Sequence, residues 1–464
     1  MLRLAFVVVS FVAFVGCNQH NSESCQLQEN AGKNGCPPDA SRECMGPDDC
    51  AGTTPACDTM SSPHVCVQCT DDSKMLCGGT TPLCKSNSCA ACMLDSECGT
   101  GGLCLPTGAC VAAANIIHAT TMGKDMPGCG APGANACKLE RALTEVTATK
   151  NVIKLDDLAP AIYSANGFIV GKDVTIDARG ALIKRGNDGT ILTINMDRTT
   201  TIFGGTIEGA TNGDGISCGP NATLTLDGTT IDTIEKSAIN ASSGCKLTLT
   251  HVNINNTSLK TGQFLPAILT AGASITLSRS NFFSNHGGGI SVTNGTFVIV
   301  GNAFVANGDT LIPPTNPVGA VSINTTTSDP MNRIEFNSIS GNSTISTKPP
   351  GIDCTAGTGP INTAIARNNI IWNNNGNLVP QVGGTCKHAY SDIGMLTVGG
   401  PYDGGNNLNI DPVFQTALDL HLQSASQAIR YADPMAKLDG VAAKDIDGDP
   451  RVAPADIGVD QRPR

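Results

Sequence analysis

Aromatic side chains are scarce in this chain of 464 residues, at 4% of positions with a single Trp. Charge is also scarce, at 15%, and its balance is acidic: 29 Lys and Arg stand against 40 Asp and Glu, a net −11. Phosphate contacts need clustered Lys and Arg, so this acidic, aromatic-poor composition excludes nucleic acid as a partner. What is abundant is glycine, at 52 residues, together with small polar residues and Asn. That composition calls for many turns rather than many helices. Hydrophobic residues still reach 40%, enough for a long buried core, and the length allows two or three domains.

Arg3 precedes a run, Leu4 to Val15, that is apolar apart from Ser10. It is short for a bilayer span and of the size of a signal-peptide core. The run ends in Phe14-Val15-Gly16-Cys17, which resembles a bacterial lipobox with Phe14 where Leu or Val is usual. The resemblance implies a lipoprotein signal peptide over residues 1–16 and a lipid on Cys17. An ordinary signal peptide with Cys17 merely nearby is the alternative. Residues 17–43 form a polar tether.

Of the 21 cysteines, 20 remain if Cys17 carries lipid, an even number that fits disulfides in an oxidising compartment. Residues 44–111 hold three similar four-Cys units: Cys44-Cys50-Cys57-Cys66, Cys69-Cys77-Cys84-Cys89 and Cys92-Cys98-Cys104-Cys110. C-x-x-C steps separate them, and the sequences Ala51-Gly52-Thr53-Thr54-Pro55 and Gly78-Gly79-Thr80-Thr81-Pro82 echo each other. Units so poor in apolar side chains cannot bury a core and need cross-links. Zinc ligation and redox chemistry are the other uses of C-x-x-C; the oxidising context and the lack of paired His favour disulfides.

Beyond residue 115 the character changes. Ile116 and Ile117 begin a strand, and Cys129 and Cys137 flank a Gly/Pro loop and are expected to pair. Leu139, Ala142, Leu143 and Val146 recur at helical spacing with Asn135 as N-cap, predicting a short helix that closes one end of a solenoid. From about residue 168 a unit of roughly 20 to 35 residues repeats: alternating apolar residues, a polar corner, an apolar residue, then Asn. Phe297 to Val300 followed by Asn302-x-Phe304-x-x-Asn307 matches Ile334-x-Phe336 with Asn337-x-Ile339-x-x-Asn342, and Ala364-x-Ala366 with Asn368-x-Ile370-x-x-Asn373. Stacked coils bury a continuous apolar column, with Phe304 inward on Phe282 and Ile339, and an Asn ladder at the corners formed by Asn285, Asn307, Asn342 and Asn373. The pairs Cys218/Cys245 and Cys354/Cys386 lie about one coil apart and read as staples.

These repeats resemble right-handed parallel β-helix proteins over residues 115–464. Gly405-Asn406-Asn407-Leu408, Asp411-Pro412-Val413-Phe414, Asp445-x-Asp447-Gly448-Asp449-Pro450-Arg451 and Asp456-Ile457-Gly458 resemble the terminal block of bacterial surface β-helix proteins of the choice-of-anchor Q type, with Val459-Asp460-Gln461 in place of that family's acidic-aromatic ending. The expected architecture is therefore an all-β, right-handed parallel β-helix with an N-terminal capping helix and a C-terminal cap from about residue 431, preceded by a disulfide-rich stalk. The resemblance implies location at the outer membrane or cell surface. It leaves activity open, because lyases, hydrolases and non-catalytic adhesins share this scaffold.

Asn212-Gly213-Asp214-Gly215 resembles the Asp-Gly motif of β-helix polygalacturonases, and Asn285-His286-Gly287 resembles their histidine motif, which makes Asp214 and His286 the candidate catalytic pair. No Asp-Asp pair follows at Ile239-Asn240-Ala241 and no Arg-x-Lys follows His286, so a capped Gly/Asn turn is the competing reading. Calcium-dependent lyase chemistry needs clustered carboxylates and a cationic base, whereas Asp214, Asp227, Asp232, Glu235, Asp309, Glu335 and Asp353 are scattered and Arg279, Arg333 and Arg367 fall on different coil positions. Asp445, Asp447 and Asp449 have calcium-loop spacing; an Asp–Arg cluster with Arg451 is the alternative. No cofactor other than calcium is indicated. The function expected is a non-enzymatic surface lipoprotein that adheres or binds a cell-surface glycan through the β-helix face, held to the membrane by its lipid. The alternative is a polysaccharide lyase or glycoside hydrolase acting on an acidic polysaccharide. Replacing Cys17 with Ser should release the protein from the membrane fraction, measured by fractionation and immunoblotting; a processed Ser variant that stays membrane-bound would contradict lipidation.

Overall fold

The computed structural model describes residues 44–259, 264–308, 318–327, 329–344, 348–356, 366–377 and 379–462. Cys17, the signal segment and the tether lie outside the described residues. Contacts divide the chain into two units, one ending at Cys110 and one beginning at Val111.

In the first unit each four-Cys module pairs its first cysteine with its third and its second with its fourth. The bonds are Cys44–Cys57 and Cys50–Cys66, Cys69–Cys84 and Cys77–Cys89, and Cys92–Cys104 and Cys98–Cys110. Two-residue and three-residue antiparallel ladders accompany them, at Ala56–Asp58 with Val65–Val67, Leu83–Lys85 with Ser88–Ala90, and Leu103–Cys104 with Cys110–Val111. Within the first ladder Cys57 faces Cys66, yet each reaches back to a different cysteine of the preceding loop. Cys44, Cys69, Cys92 and Cys104 are buried, so sulfur fills much of an interior that has few apolar side chains to offer.

The second unit is a parallel β-helix. Among the described residues it has three parallel sheets of eleven, ten and nine strands, and every third strand in sequence is the neighbour in space, apart from the consecutive first pair Ile116–Lys124 and Val152–Leu155. The eleven-stranded sheet runs from Ile116–Lys124 to His388–Ala389, the ten-stranded sheet from Ile162–Ala165 to Asp392–Ile393, and the nine-stranded sheet from Phe168–Val170 to Val382–Gly384. Parallel strands joined through crossovers coil right-handedly. The helix Leu139–Glu145 buries Leu139, Ala142 and Leu143 in the same core cluster as Ile117, Ile153 and Phe168, closing the first coil. Its N-cap is Lys138 and makes no side-chain cap bond. Asn135 instead ends a 3₁₀ turn, Gly133–Asn135, and accepts a hydrogen bond from Lys124 Nζ, which corrects its expected capping role.

Core side chains stack coil upon coil. One column passes through Ile202, Leu226, Leu249, Leu277, Ile299 and Ile334. Another passes through Ile254, Phe282, Phe304, Ile339 and Ile371. The Phe282 and Phe304 rings stack with centroids 4.7 Å apart. Each such side chain contributes about 1.5–3 kcal/mol by leaving water.

At the corners, backbone amides that belong to no strand are satisfied by two buried ladders. Asn307 Oδ1 accepts from the Asn285 backbone (3.3 Å) and side chain (2.7 Å), while Asn307 Nδ2 donates to Phe282 O (3.0 Å) and Asn342 Oδ1 (2.8 Å). All four hydrogen-bonding positions of that amide are used. The ladder continues from Asn342 to Asn374 and ends on Gln381. A second ladder, absent from the sequence reading, runs Ser280, Asn302, Asn337, Asn369 and Ser391.

The last coil corrects the expected register by one residue. Asn374 rather than Asn373 stands in the ladder, Asn369 rather than Asn368 in its companion, and Ile371 rather than Ile370 points inward. Asn373 is exposed with φ +56°. The doublets Asn368-Asn369, Ile370-Ile371 and Asn373-Asn374 fit either phase of a period-2 pattern, and a slip of one exchanges the faces.

The C-terminal region is also corrected. Leu396 and Tyr402 cover the last coil, well before residue 431. The segment from Leu408 to Gln461 lies along the flank, where Leu422, Ala428 and Ile457 cover the outward-facing Val300, Phe336 and Ile370, and Leu420 and Val459 cover Ala303 and Val305. These outward positions are apolar and would otherwise face water, which is why the tail packs on the flank rather than on the end.

Phe304→Ala should cost about 3–5 kcal/mol, from lost burial and an unfilled cavity, while the outward Thr276→Ala should change stability by less than about 0.5 kcal/mol. Denaturant unfolding of the protein measures both.

Candidate functional site

Asp214 and His286 do not form a catalytic pair. Asp214 precedes the strand Ile216–Cys218 and His286 precedes Ile290–Thr293, and the strands Ile239–Ala241 and Ile268–Ala271 lie between. Three coil steps of about 4.8 Å separate them by about 14 Å, too far to act on one bond. Asp214 is buried and accepts from Ser237 N (3.2 Å) and Asn240 Nδ2 (3.1 Å) of the next coil. It braces a turn. His286 is exposed. Cys129–Cys137, Cys218–Cys245 and Cys354–Cys386 are disulfides.

Asp445, Asp447 and Asp449 do not converge on one point. Asp445 is fully buried, and its Oδ1 accepts the amides of Asp447 (3.1 Å) and Asp449 (2.8 Å) while Oδ2 accepts that of Gln461 (3.0 Å). It folds the loop around itself, as Asp does in turns. Arg451 lies 4.5 Å above the Phe336 ring and donates to the carbonyls of Gly458 (3.0 Å) and Val459 (2.8 Å). Burial pulls its guanidinium down to about 10, opposed by the charges of Asp445, Asp460 and Asp456. Arg451 therefore pins the tail through carbonyls and an aromatic face rather than through a short ion pair.

Arg333 and Arg367, which the sequence placed at unrelated positions, meet at one carboxylate. Glu335 lies 3.6 Å from Arg333 and 3.4 Å from Arg367, whose other nitrogen lies 3.0 Å from Asp433 of the tail. Burial raises the Glu335 pKa against the pull of both arginines. This network ties tail to coil and leaves neither arginine unpaired. Arg279 sits at a coil corner with φ +49°.

The outward face of the ten-stranded sheet combines polar groups with hollows. Its register aligns Leu182, Thr206, Thr230, Asn253, Asn281 and Ala303 in one row, and Lys184, Glu208, Asp232, Asn255 and Phe283 in the next. Asn281 Nδ2 donates to Asn253 Oδ1 (3.1 Å), and Lys184 is paired with Glu208. At one end of the rows, Gly180, Gly205 and Gly228 adopt φ of +75°, +75° and +69° and, with Thr206, Glu208 and Thr230, line a trench of about 480 Å³. At the other end, a cavity of about 230 Å³ is lined by Asn281, Phe283, Val305 and the tail residues Leu418 and His421. Phe283 is 38% exposed there. A polar row of about 14 Å, from Thr206 to Asn281 at about 4.8 Å per coil, joins the two hollows.

His421 sits at the rim. Its Nδ1 is bonded to Asp419 and its Nε2 lies 2.8 Å from Asp447 Oδ2. Burial lowers its pKa, but the bonds to Asp419 and Asp447 outweigh this and push it up to about 9, so it is a poor general base at neutral pH. Nothing in the spacing of residues 419, 421, 447 and 460 announces this cluster, because only the tail's fold joins them.

No family model and no curated relative matches the chain. Among solved structures it is similar to a crystal structure of pectate lyase Pel9A, at 13% identity and a TM-score of 0.43, covering 75% of this chain and 96% of that chain.

Two further titratable groups lie in the last coil. His388 is fully buried with neither ring nitrogen hydrogen-bonded among the described residues, and burial lowers its pKa to about 4. Burial raises Asp392 to about 7, opposed by the Ile410 amide. An unfolded chain protonates His388 near 6.5, so its contribution to stability is present above pH 6.5 and is lost as pH falls toward 4. Asp392 acts with the opposite sign, its contribution being lost as pH rises from 3.8 to about 7. His388→Leu should therefore flatten the acid-side fall in the unfolding midpoint between pH 6.5 and 4; an unchanged slope would count against a buried neutral imidazole.

Proposed function

We propose that the protein is a non-enzymatic, lipid-anchored protein of the outer membrane or cell surface that binds a polysaccharide chain along the outer face of its ten-stranded sheet. The observation that carries this reading is the row of Thr206, Thr230, Asn253 and Asn281 joining two hollows, one of them containing the exposed ring of Phe283. A linear glycan offers hydroxyls at regular intervals and apolar ring faces between them. Hydroxyl and amide groups repeated once per coil match the first, and Phe283 with Val305 matches the second. The face carries Glu208, Asp232 and Asp419, and its Lys184 is already paired. That charge favours a neutral polysaccharide over an acidic one.

Catalysis is the weaker reading because the two candidate catalytic residues, Asp214 and His286, stand three coils apart. Affinity electrophoresis against neutral and acidic polysaccharides tests the proposal. The ectodomain should be retarded by a neutral polymer, and Asn281→Ala and Phe283→Ala should each weaken retention about tenfold, as for a hydrogen-bonding or ring-stacking contact of about 1.4 kcal/mol. Release of shortened, unsaturated fragments from an acidic polysaccharide would establish a lyase instead.

A further inference from the structure

We infer that His421, Asp447 and Asp460 form a binding site for one divalent transition metal ion of the zinc type. The three residues come from separate stretches of the tail, and one nitrogen or oxygen of each lies within 4.8 Å of the others. Zinc is held at about 2.0–2.2 Å by imidazole nitrogen and carboxylate oxygen, so tetrahedral ligand atoms stand roughly 3.3 Å apart. The 2.8 Å between His421 Nε2 and Asp447 Oδ2 needs only a small outward adjustment to reach that spacing.

Two features of the surroundings shape the site. The first is Asp460. It is 6% exposed, and its Oδ2 accepts the Leu422 amide (3.1 Å), which holds the carboxylate in place within reach of His421. The second is Asp419, whose carboxylate is bonded to His421 Nδ1 and so directs Nε2 toward Asp447 and Asp460. Carboxylate–histidine–metal arrangements use the same device to fix the tautomer and aim of the ligating nitrogen. Asp419 is thus a positioning residue.

The donor set selects the ion. Calcium and magnesium take oxygen ligands, six or more for calcium, and an imidazole with two carboxylates suits zinc or a similar metal better. Three protein ligands leave a fourth position for water or another group. His421 and Asp419 also line the cavity of about 230 Å³, so that position opens toward the glycan face. The metal site does not depend on glycan binding. Of the three aspartates with calcium-loop spacing, only Asp447 takes part.

Chelator-treated, oxidised ectodomain should bind one zinc ion per chain in calorimetry, and zinc should raise its unfolding temperature. Cobalt(II) should give the visible absorption of a four-coordinate site. His421→Gln should weaken zinc binding by at least tenfold and remove the cobalt band. Asp419→Asn should weaken binding 10–100-fold, as loss of an outer partner does. Asp449→Asn, beside the site but outside the trio, should bind like the parent. His421→Gln sits on the surface, and its circular dichroism should match the parent, which guards against misfolding as the cause. The proposal is overturned if the parent binds no zinc, if His421→Gln binds it as tightly as the parent, or if calcium binds there in preference.

Discussion

The coil corners carry the constraint on which this fold depends. Inside a sheet the backbone finds partners by repetition, but at each bend the amides point into a packed interior and must be met by something one coil away. Two asparagine and serine ladders do this. Asn307 uses every donor and acceptor of its side chain, linking Asn285 above to Asn342 below while bonding the Phe282 carbonyl. Corner asparagines that are buried and fully bonded hold each coil in phase with the last. The inward columns through Leu249 and Phe304 then fall on one another. Each coil touches only its neighbours, so the phase must be restored at every turn.

The same phase governs the outside. Residues that share a register position make a row, and the character of each row changes along the solenoid. On the ten-stranded sheet, Thr206, Thr230, Asn253 and Asn281 give way to Ala303, Ser338 and Ile370. The polar part is open and the apolar part is covered by the tail. The boundary between them, at Phe283 and His421, is where a cavity forms. Arg451 above Phe336 and the Glu335–Arg367–Asp433 network hold the tail there by different means, the first through an aromatic face and carbonyls, the second through charge.

Much of this was legible beforehand. Phe282, Phe304 and Ile339 each stand three residues before an Asn, at Asn285, Asn307 and Asn342, so their inward stacking follows from that repeated offset. The paired cysteines of the coils were readable from spacing. The phase of the final coil was not, because Ile370-Ile371 and Asn373-Asn374 present the same residue twice and period-2 logic has nothing to choose between. Asn302 and Asn337 stand in the same repeated motif, but one Asn ladder is enough to satisfy the repeat pattern, and only the folded coils show that both Asn positions form ladders. Asp445, Asp447 and Asp449 form a group by spacing, whereas Asp445 turns inward to backbone amides.

By itself the sequence determined the period, the inward and outward alternation, the cysteine economy of the N-terminal unit and the helix over the first coil, because each is a local pattern whose physics acts within a few residues of the chain. The tertiary structure decided where the tail lies, which row of the solenoid stays open, and that His421, Asp447 and Asp460 meet. Those outcomes rest on burial of outward apolar side chains such as Val300, Phe336 and Ile370 by residues of the distant tail, where the Val459 amide, 121 positions along the chain, also donates to Ser338 Oγ. An apolar side chain attracts any other that can reach it, and only the three-dimensional path of the chain settles which one does.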